Sequence, residues 1–215
     1  MFNRRNLSLA AGMAAAVALT AGALIASTAR AEPEVAVGSP APAFTGLDSN
    51  GQTISLSDFS GKTVVLEWTN DGCPFVQKHY TSPPANMQTL QADAASNDVV
   101  WISVISSAPG RQGYVTGDAA NALTITRGAV PAHVVLDPSG DIGRLYGAKT
   151  TPHMFVIRDD GVIAYQGAID SKASSRVSDI ATATNYVRDA LASVAAGQPV
   201  AVASSKPYGC SVKYN

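Results

Sequence analysis

Cysteine is scarce in this sequence. Of 215 residues only Cys73 and Cys210 carry thiols. Two cysteines permit one pairing within a chain, and a domain of this length buries most of its core without covalent staples. Basic runs are missing, and no stretch interleaves aromatic with basic residues, so no nucleic-acid partner is expected. Internal repeats and long linkers are missing as well. Acidic residues are absent from the first 31 positions, although 16 follow later.

That acid-free stretch has the layout of a secretory signal. Arg4 and Arg5 precede an uncharged, Ala- and Gly-rich run from Leu7 to Ala26, and Ala29 and Ala31 occupy the small-residue cleavage positions. Cleavage after Ala31 leaves 184 residues with 12 basic and 16 acidic side chains, net −4. The expected location is periplasmic or exported, and "RRNLSL" also resembles a twin-arginine signal. If the segment were not cleaved, its twenty apolar residues would act as a membrane anchor. Domain limits follow: 1–31 signal peptide, 32–197 folded domain, 198–215 a tail carrying Cys210.

Along the folded part, "AFTGLDSNGQTISLS" predicts two strands about Asn50-Gly51. Val64–Trp68 is a short apolar run that fits a buried strand. Pro74 suits the first residue of a helix, where its missing N–H costs nothing. Pro83-Pro84 interrupts that helix, and it resumes through "ANMQTLQADAAS". Asp98–Ser106 and "AHVVLDPSG" predict further strands, with a helix from Asp118 to Arg127, capped by Asp118, between them. "DIGRLYGA" is a short helix. His153–Gly167 is a hairpin turning at Asp160-Gly161. "DIATATNYVRDALASVAAG" reads as the best helix, stopping at Gly197. Alternating strands and helices give an α/β fold with a central mixed β-sheet flanked by helices, an N-terminal hairpin and a C-terminal tail.

The chemistry concentrates at "TNDGCPFVQKHY", Thr69–Tyr80. Cys73 lies at a strand-to-helix junction. Free N–H groups and the helix dipole favour the thiolate there, and the thiolate is the nucleophile. Export adds an oxidising compartment in which idle thiols tend to pair.

Four motifs then occur in order: "GCPFVQKHY", "LYGAKTTPHMFVI", "AYQGAID" and "KPYGCSVKY". Together they resemble the exported peroxiredoxin-like, or redoxin, proteins of the thioredoxin superfamily, over roughly Ala36 to Gly197. The resemblance implies a thioredoxin-like fold and a thiol-dependent oxidoreductase with antioxidant activity and no cofactor. Cys73 would attack a peroxide oxygen or a disulfide sulfur, with an unidentified thiol reductant closing the cycle. Two departures stand out. Val76 replaces the second cysteine of C-x-x-C. Asn70 stands where typical peroxiredoxins carry a threonine, with Thr69 one residue early.

The resemblance also assigns supporting residues. Glu67, six residues before Cys73, matches the buried carboxylate under the thioredoxin site. Physics alone marks it as odd, because an unpaired charge in "VVLEW" is costly. Burial would raise its pKa toward a proton-shuttling range; the bland alternative is a strand-end carboxylate reaching water or a lysine. Pro152 matches the superfamily's cis-proline, and Thr151 would present its backbone to substrate. Thr69, Pro74, Thr151 and Pro152 are thus the expected substrate-binding residues, beside Cys73, Cys210 and Glu67 as catalytic ones. His79 is nearly two helical turns from the sulfur and should not touch it, His153 is close enough in sequence to approach, and His133 reads as structural. Arg127 and Arg144 read as solvated, Trp68 and Trp101 as core.

Cys210 admits three readings: it resolves an oxidised Cys73, it forms a permanent disulfide with it, or it pairs with another chain. The first is preferred. Four functions compete: a peroxidase, a thiol–disulfide exchange protein without peroxidase activity, a copper-binding metallochaperone using Cys73, Cys210 and His153, and a redox-inert binding domain in which Cys73→Ser changes nothing. No dedicated metal site is expected.

Overall fold

The computed structural model describes residues 35–81 and 83–215. The signal-peptide reading of residues 1–31 lies outside them. Among the described residues no helix is long and apolar enough to cross a membrane.

The chain opens with a hairpin, β1 (Thr45–Asp48) and β2 (Thr53–Ser55), turning where Asn50-Gly51 predicts. Next comes β3 (Val64–Trp68), whose five residues are all buried. Helix α1 (Pro74–Tyr80) follows, with Cys73 as its N-cap and Pro74 as its first residue. That helix ends at Tyr80, ahead of the two prolines, and α2 (Asn86–Ser96) follows them. Then β4 (Val100–Ile105), α3 (Gly117–Thr126), β5 (His133–Leu136) and α4 (Asp141–Leu145) alternate. The last part holds β6 (Thr150–Thr151), the hairpin β7 (His153–Ile157) and β8 (Ile163–Gly167), α5 (Tyr186–Ala195) and β9 (Cys210–Ser211).

Seven strands form one mixed sheet in the order β2-β1-β5-β4-β3-β7-β8, while β6 and β9 pair separately. β3, β4 and β5 run parallel, and the flanking strands are antiparallel. Parallel strands buried on both faces need apolar side chains on both. Accordingly Val64, Leu66 and Trp68 join Ile142 of α4 and Tyr146, which caps it, on one face. Val65, Met154 and Val156 join Val76 of α1, Met87 and Leu90 of α2 and Val187 of α5 on the other.

Two helix starts differ from the sequence expectation. α3 is capped by Thr116, whose hydroxyl accepts from the Ala119 N–H, rather than by Asp118. "DIATAT" does not belong to α5. A 3-10 segment covers Val177–Thr182, and α5 starts only after Asn185, whose side chain accepts from the Arg188 N–H. A true N-cap wins over a run of two threonines and two alanines of indifferent pattern.

Candidate active site

Cys73 stands where β3 ends and α1 begins, and its side chain has no exposed surface. α1 spans only two turns, so specific hydrogen bonds count for more at its sulfur than helix length. Burial alone would push the thiol up. Hydrogen bonds from the Cys210 thiol and backbone N–H, the Val76 N–H and the Thr151 hydroxyl outweigh it and hold Cys73 below the ordinary thiol value. When protonated, the sulfur donates to the Thr151 carbonyl at 3.1 Å.

Cys210 is therefore a neighbour of Cys73, although 137 positions separate them in sequence. β9 runs antiparallel to β6, with Cys210 opposite Thr151 and Ser211 opposite Thr150. Both cysteines are free thiols. Their protons are not shared equally. Burial, the hydrogen bond to Cys73 and the charge on Cys73 push the Cys210 thiol up to about 11. The pair thus loses its first proton at Cys73, and Cys210 stays the protonated partner.

Thr151-Pro152 is a cis peptide bond, and both residues are buried beside the sulfur. Between Tyr208 and Cys210, Gly209 crosses the Thr151 carbonyl so closely that an added Cβ would lie 2.1 Å from that oxygen, and its φ is +136°. Only glycine passes here without strain. Pro74 is exposed on the outer side of Cys73.

Thr69 and Asn70 face away from this pairing. The Thr69 hydroxyl is buried without a hydrogen-bond partner and lines a cavity of about 30 Å³ with Asp71, Tyr80, Ser103 and Arg127. The Asn70 side chain ties two loops together: its Oδ1 accepts from the Gly72 N–H at 3.0 Å, and its Nδ2 donates to the Gln112 carbonyl at 3.2 Å in the loop before α3.

Glu67 is fully buried on the Val65 face of β3, as alternation requires. It reaches neither water nor a lysine. The Tyr80 hydroxyl donates to its two oxygens at 2.8 and 2.9 Å, Trp101 Nε1–H donates at 2.9 Å, the Ser103 hydroxyl at 3.3 Å and the Gln91 amide at 3.4 Å. Burial raises its pKa; the donors Trp101 and Tyr80, the Arg127 charge and Ser103 pull it back only in part. No hydrogen bond joins it to Cys73; Tyr80, its nearest donor, lies at the far end of the helix that Cys73 caps.

The histidines and arginines sort clearly. His153 accepts from the Lys149 N–H and packs on Phe155, away from the thiols. Burial drops it to about 4. His133 contacts Asp48 at 3.3 Å. Arg144 lies over the Tyr214 ring. Arg127 is not merely solvated: it pairs with Asp71 and lies over the Tyr80 ring at 4.6 Å. Among the described residues no three His, Cys, Asp or Glu side chains converge to hold a metal, and the copper reading loses the His153 ligand it required.

Sequence reasoning missed one constellation. Lys78 and His79 of α1, both fully buried, meet Asp170 beyond β8 and Tyr208 of the tail. A lysine in a short helix reads as solvated. The available signal was that "AYQGAID" and "KPYGCSVKY", quoted for their resemblance, end on Asp170 and contain Tyr208.

The sequence matches the profile of the family described as Redoxin over residues 36–184. No curated protein matches it. Among solved structures, a hypothetical protein from Sinorhizobium meliloti superposes with a TM-score of 0.71 at 20% identity, over 84% of this chain and 96% of that one. An uncharacterized conserved protein from Geobacillus kaustophilus gives 0.68 at 19%, over 85% and 94%. The thioredoxin domain of a thiol-disulfide oxidoreductase from Bacteroides vulgatus gives 0.49 at 22%, over 68% and 96%.

Proposed function

This chain belongs to the redoxin family, and from that premise we propose that it is an exported thiol oxidoreductase that reduces a small hydroperoxide with Cys73 and resolves the product with Cys210. The observation that supports this most is the strand pairing that sets Cys210 opposite Thr151, next to a Cys73 sulfur held below the ordinary thiol pKa. The Cys73 thiolate attacks one peroxide oxygen, the O–O bond breaks, and the leaving alkoxide or hydroxide takes a proton. Cys73 is then a sulfenic acid. The Cys210 sulfur attacks it, water leaves, and a Cys73–Cys210 disulfide remains. An external thiol reductant restores both thiols. Glu67, buried with its pKa raised, is the group that supplies or accepts the proton. Pro74, Thr151 and Pro152 frame the substrate, while Thr69, whose hydroxyl opens into the neighbouring cavity, leaves that set.

The occupied edge of β6 favours a small oxidant. A protein disulfide reaching for Thr151 must first displace β9. A second reading, thiol–disulfide exchange without peroxidase activity, draws on Asn70: its amide is tied to Gln112 and Gly72 and is not free to orient a peroxide. Consumption of hydrogen peroxide and of an oxidised model protein, measured side by side with dithiothreitol as reductant, separates the two. Peroxide turnover lost in Cys73→Ser and exceeding disulfide turnover supports the first reading. Disulfide turnover alone supports the second.

A further inference from the structure

Two residue pairs hold β9 to β6, a short ladder for a segment that must keep a thiol in place. Two positions before Cys210, Tyr208 makes a stronger attachment. The Lys78 ammonium has three N–H groups and three acceptors: Asp170 Oδ2 at 3.0 Å, the Lys172 carbonyl at 3.0 Å and the Tyr208 hydroxyl at 3.4 Å. Asp170 Oδ1 in turn accepts from the Tyr208 hydroxyl and from the Lys172 N–H at 2.9 Å. His79 Nδ1 accepts from the Asn86 amide at 2.8 Å, which assigns the ring hydrogen to Nε2. That N–H faces the Tyr208 hydroxyl at 3.3 Å. The Tyr208 ring is flanked by Phe75, its centroid 5.9 Å away.

One phenol thus completes the partner sets of three buried polar side chains. Burying an ammonium and a carboxylate is tolerated only when their hydrogen bonds are complete. The network is complete only with the tail docked. Its geometry also reaches the thiols. Lys78 and His79 sit on the helix that Cys73 caps, and Gly209, fixed over the Thr151 carbonyl, is the single residue between Tyr208 and Cys210.

We propose that Tyr208 is the positioning residue for Cys210: by closing the buried Lys78–His79–Asp170 network on the nucleophile's own helix, it fixes the tail at the register that holds the second thiol against Cys73. The inference rests on the reading of Cys73 and Cys210 as a redox couple. It assigns to the anchor, rather than to β9, the high effective concentration of one thiol at the other.

Equilibration of the full chain with glutathione and glutathione disulfide measures that quantity. Two protein thiols and one glutathione disulfide become one Cys73–Cys210 disulfide and two glutathiones, and the linked fraction gives the effective concentration. Tyr208→Phe, which removes one oxygen, should lower it at least tenfold, and Asp170→Asn should do the same, while Lys206→Ala on the exposed part of the tail stays within twofold of wild type. Iodoacetamide should alkylate the covered Cys73 several-fold faster in Tyr208→Phe than in wild type, and several-fold faster than in Leu90→Ala, a core variant away from the tail chosen for a comparable loss of melting temperature; a merely structural role would raise the rate equally in both. Wild-type effective concentration in Tyr208→Phe overturns this inference alone. A wild-type protein that never links the two cysteines at any glutathione ratio overturns the redox couple itself, and the inference with it.

Discussion

Replacing Glu67 with glutamine tests whether a carboxylate with four neutral donors and no cation in contact behaves as a proton-holding group. The side chains have the same shape. In wild type, Oε2 accepts from Trp101, Ser103, Gln91 and Tyr80, while Oε1 accepts from Tyr80 alone. The amide oxygen of Glu67→Gln takes the crowded position. Its NH2 then faces the Tyr80 hydroxyl, which must turn to accept one N–H, and the other has no acceptor. A buried donor left unmade costs about 1–3 kcal/mol. For a domain of this size that is a fall in melting temperature of about 2–12 °C.

The pH dependence carries more information than the offset. Burial holds the folded pKa of Glu67 above its unfolded value, which is about 4.3. The folded state therefore keeps a proton that the unfolded chain releases. The stability this contributes is fully present below the unfolded pKa and is lost as pH rises through the folded one. Glu67→Gln has no such dependence. His79 and His153, both lowered to about 4 by burial, titrate alike in the two proteins and cancel in the difference. Urea unfolding of the reduced proteins from pH 4 to 8 should show wild type ahead by the largest margin in acid. The margin should shrink as pH rises, by at most about 1.4 kcal/mol per unit. A margin that is flat or widens with pH would refute the reasoning, because it would mean that the donors stabilise an ionised Glu67 beyond its burial penalty. Separately, a proton role requires Glu67→Gln to lose about 100-fold in turnover.

Cys210→Ser should leave the first oxidation of Cys73 intact but expose it to sulfinic acid formation, read by mass after repeated peroxide additions; normal multiple turnover would end the resolving role. The alkylation rate of Cys73 plotted against pH should have its midpoint below about 8.5, and Cys210→Ala, which removes the side-chain donor, should move it upward, since the Cys210 thiol is a leading cause of the lowering. Lys78→Met strands the Asp170 carboxylate, which is 2% exposed, and should cost about 3–5 kcal/mol, read by urea unfolding. Gly209→Ala forces a Cβ onto the Thr151 carbonyl and should abolish linkage of the two cysteines while the far-ultraviolet circular dichroism stays unchanged.

What the sequence reveals is mostly local. Val64–Trp68 is legible because a run buried on both faces is apolar at every position but one, and Pro74 because a helix start tolerates it. The Asp160-Gly161 hairpin is legible from its turn residues. Glu67 stands out as the exception in its run, yet its partners do not: Tyr80, Gln91, Trp101 and Ser103 come from α1, α2 and β4, and only the sheet and its helices bring them together. The Lys78–Asp170 pair spans 92 positions and joins two charges that each read as surface residues. Trp101 looks like core and is core, but its N–H is spent on the carboxylate, which no periodicity announces. α5 begins later than its pattern suggests because helix starts depend on a single cap, here Asn185.

The most direct measurement concerns the two sulfurs. The protein is reduced, freed of reductant, given one equivalent of hydrogen peroxide, digested without reduction and analysed by mass, with peroxide loss timed in parallel. The account predicts rapid peroxide loss together with a peptide pair linked through Cys73 and Cys210. Both cysteines still free, or Cys73 carried to its sulfinic acid with Cys210 unlinked, would contradict it.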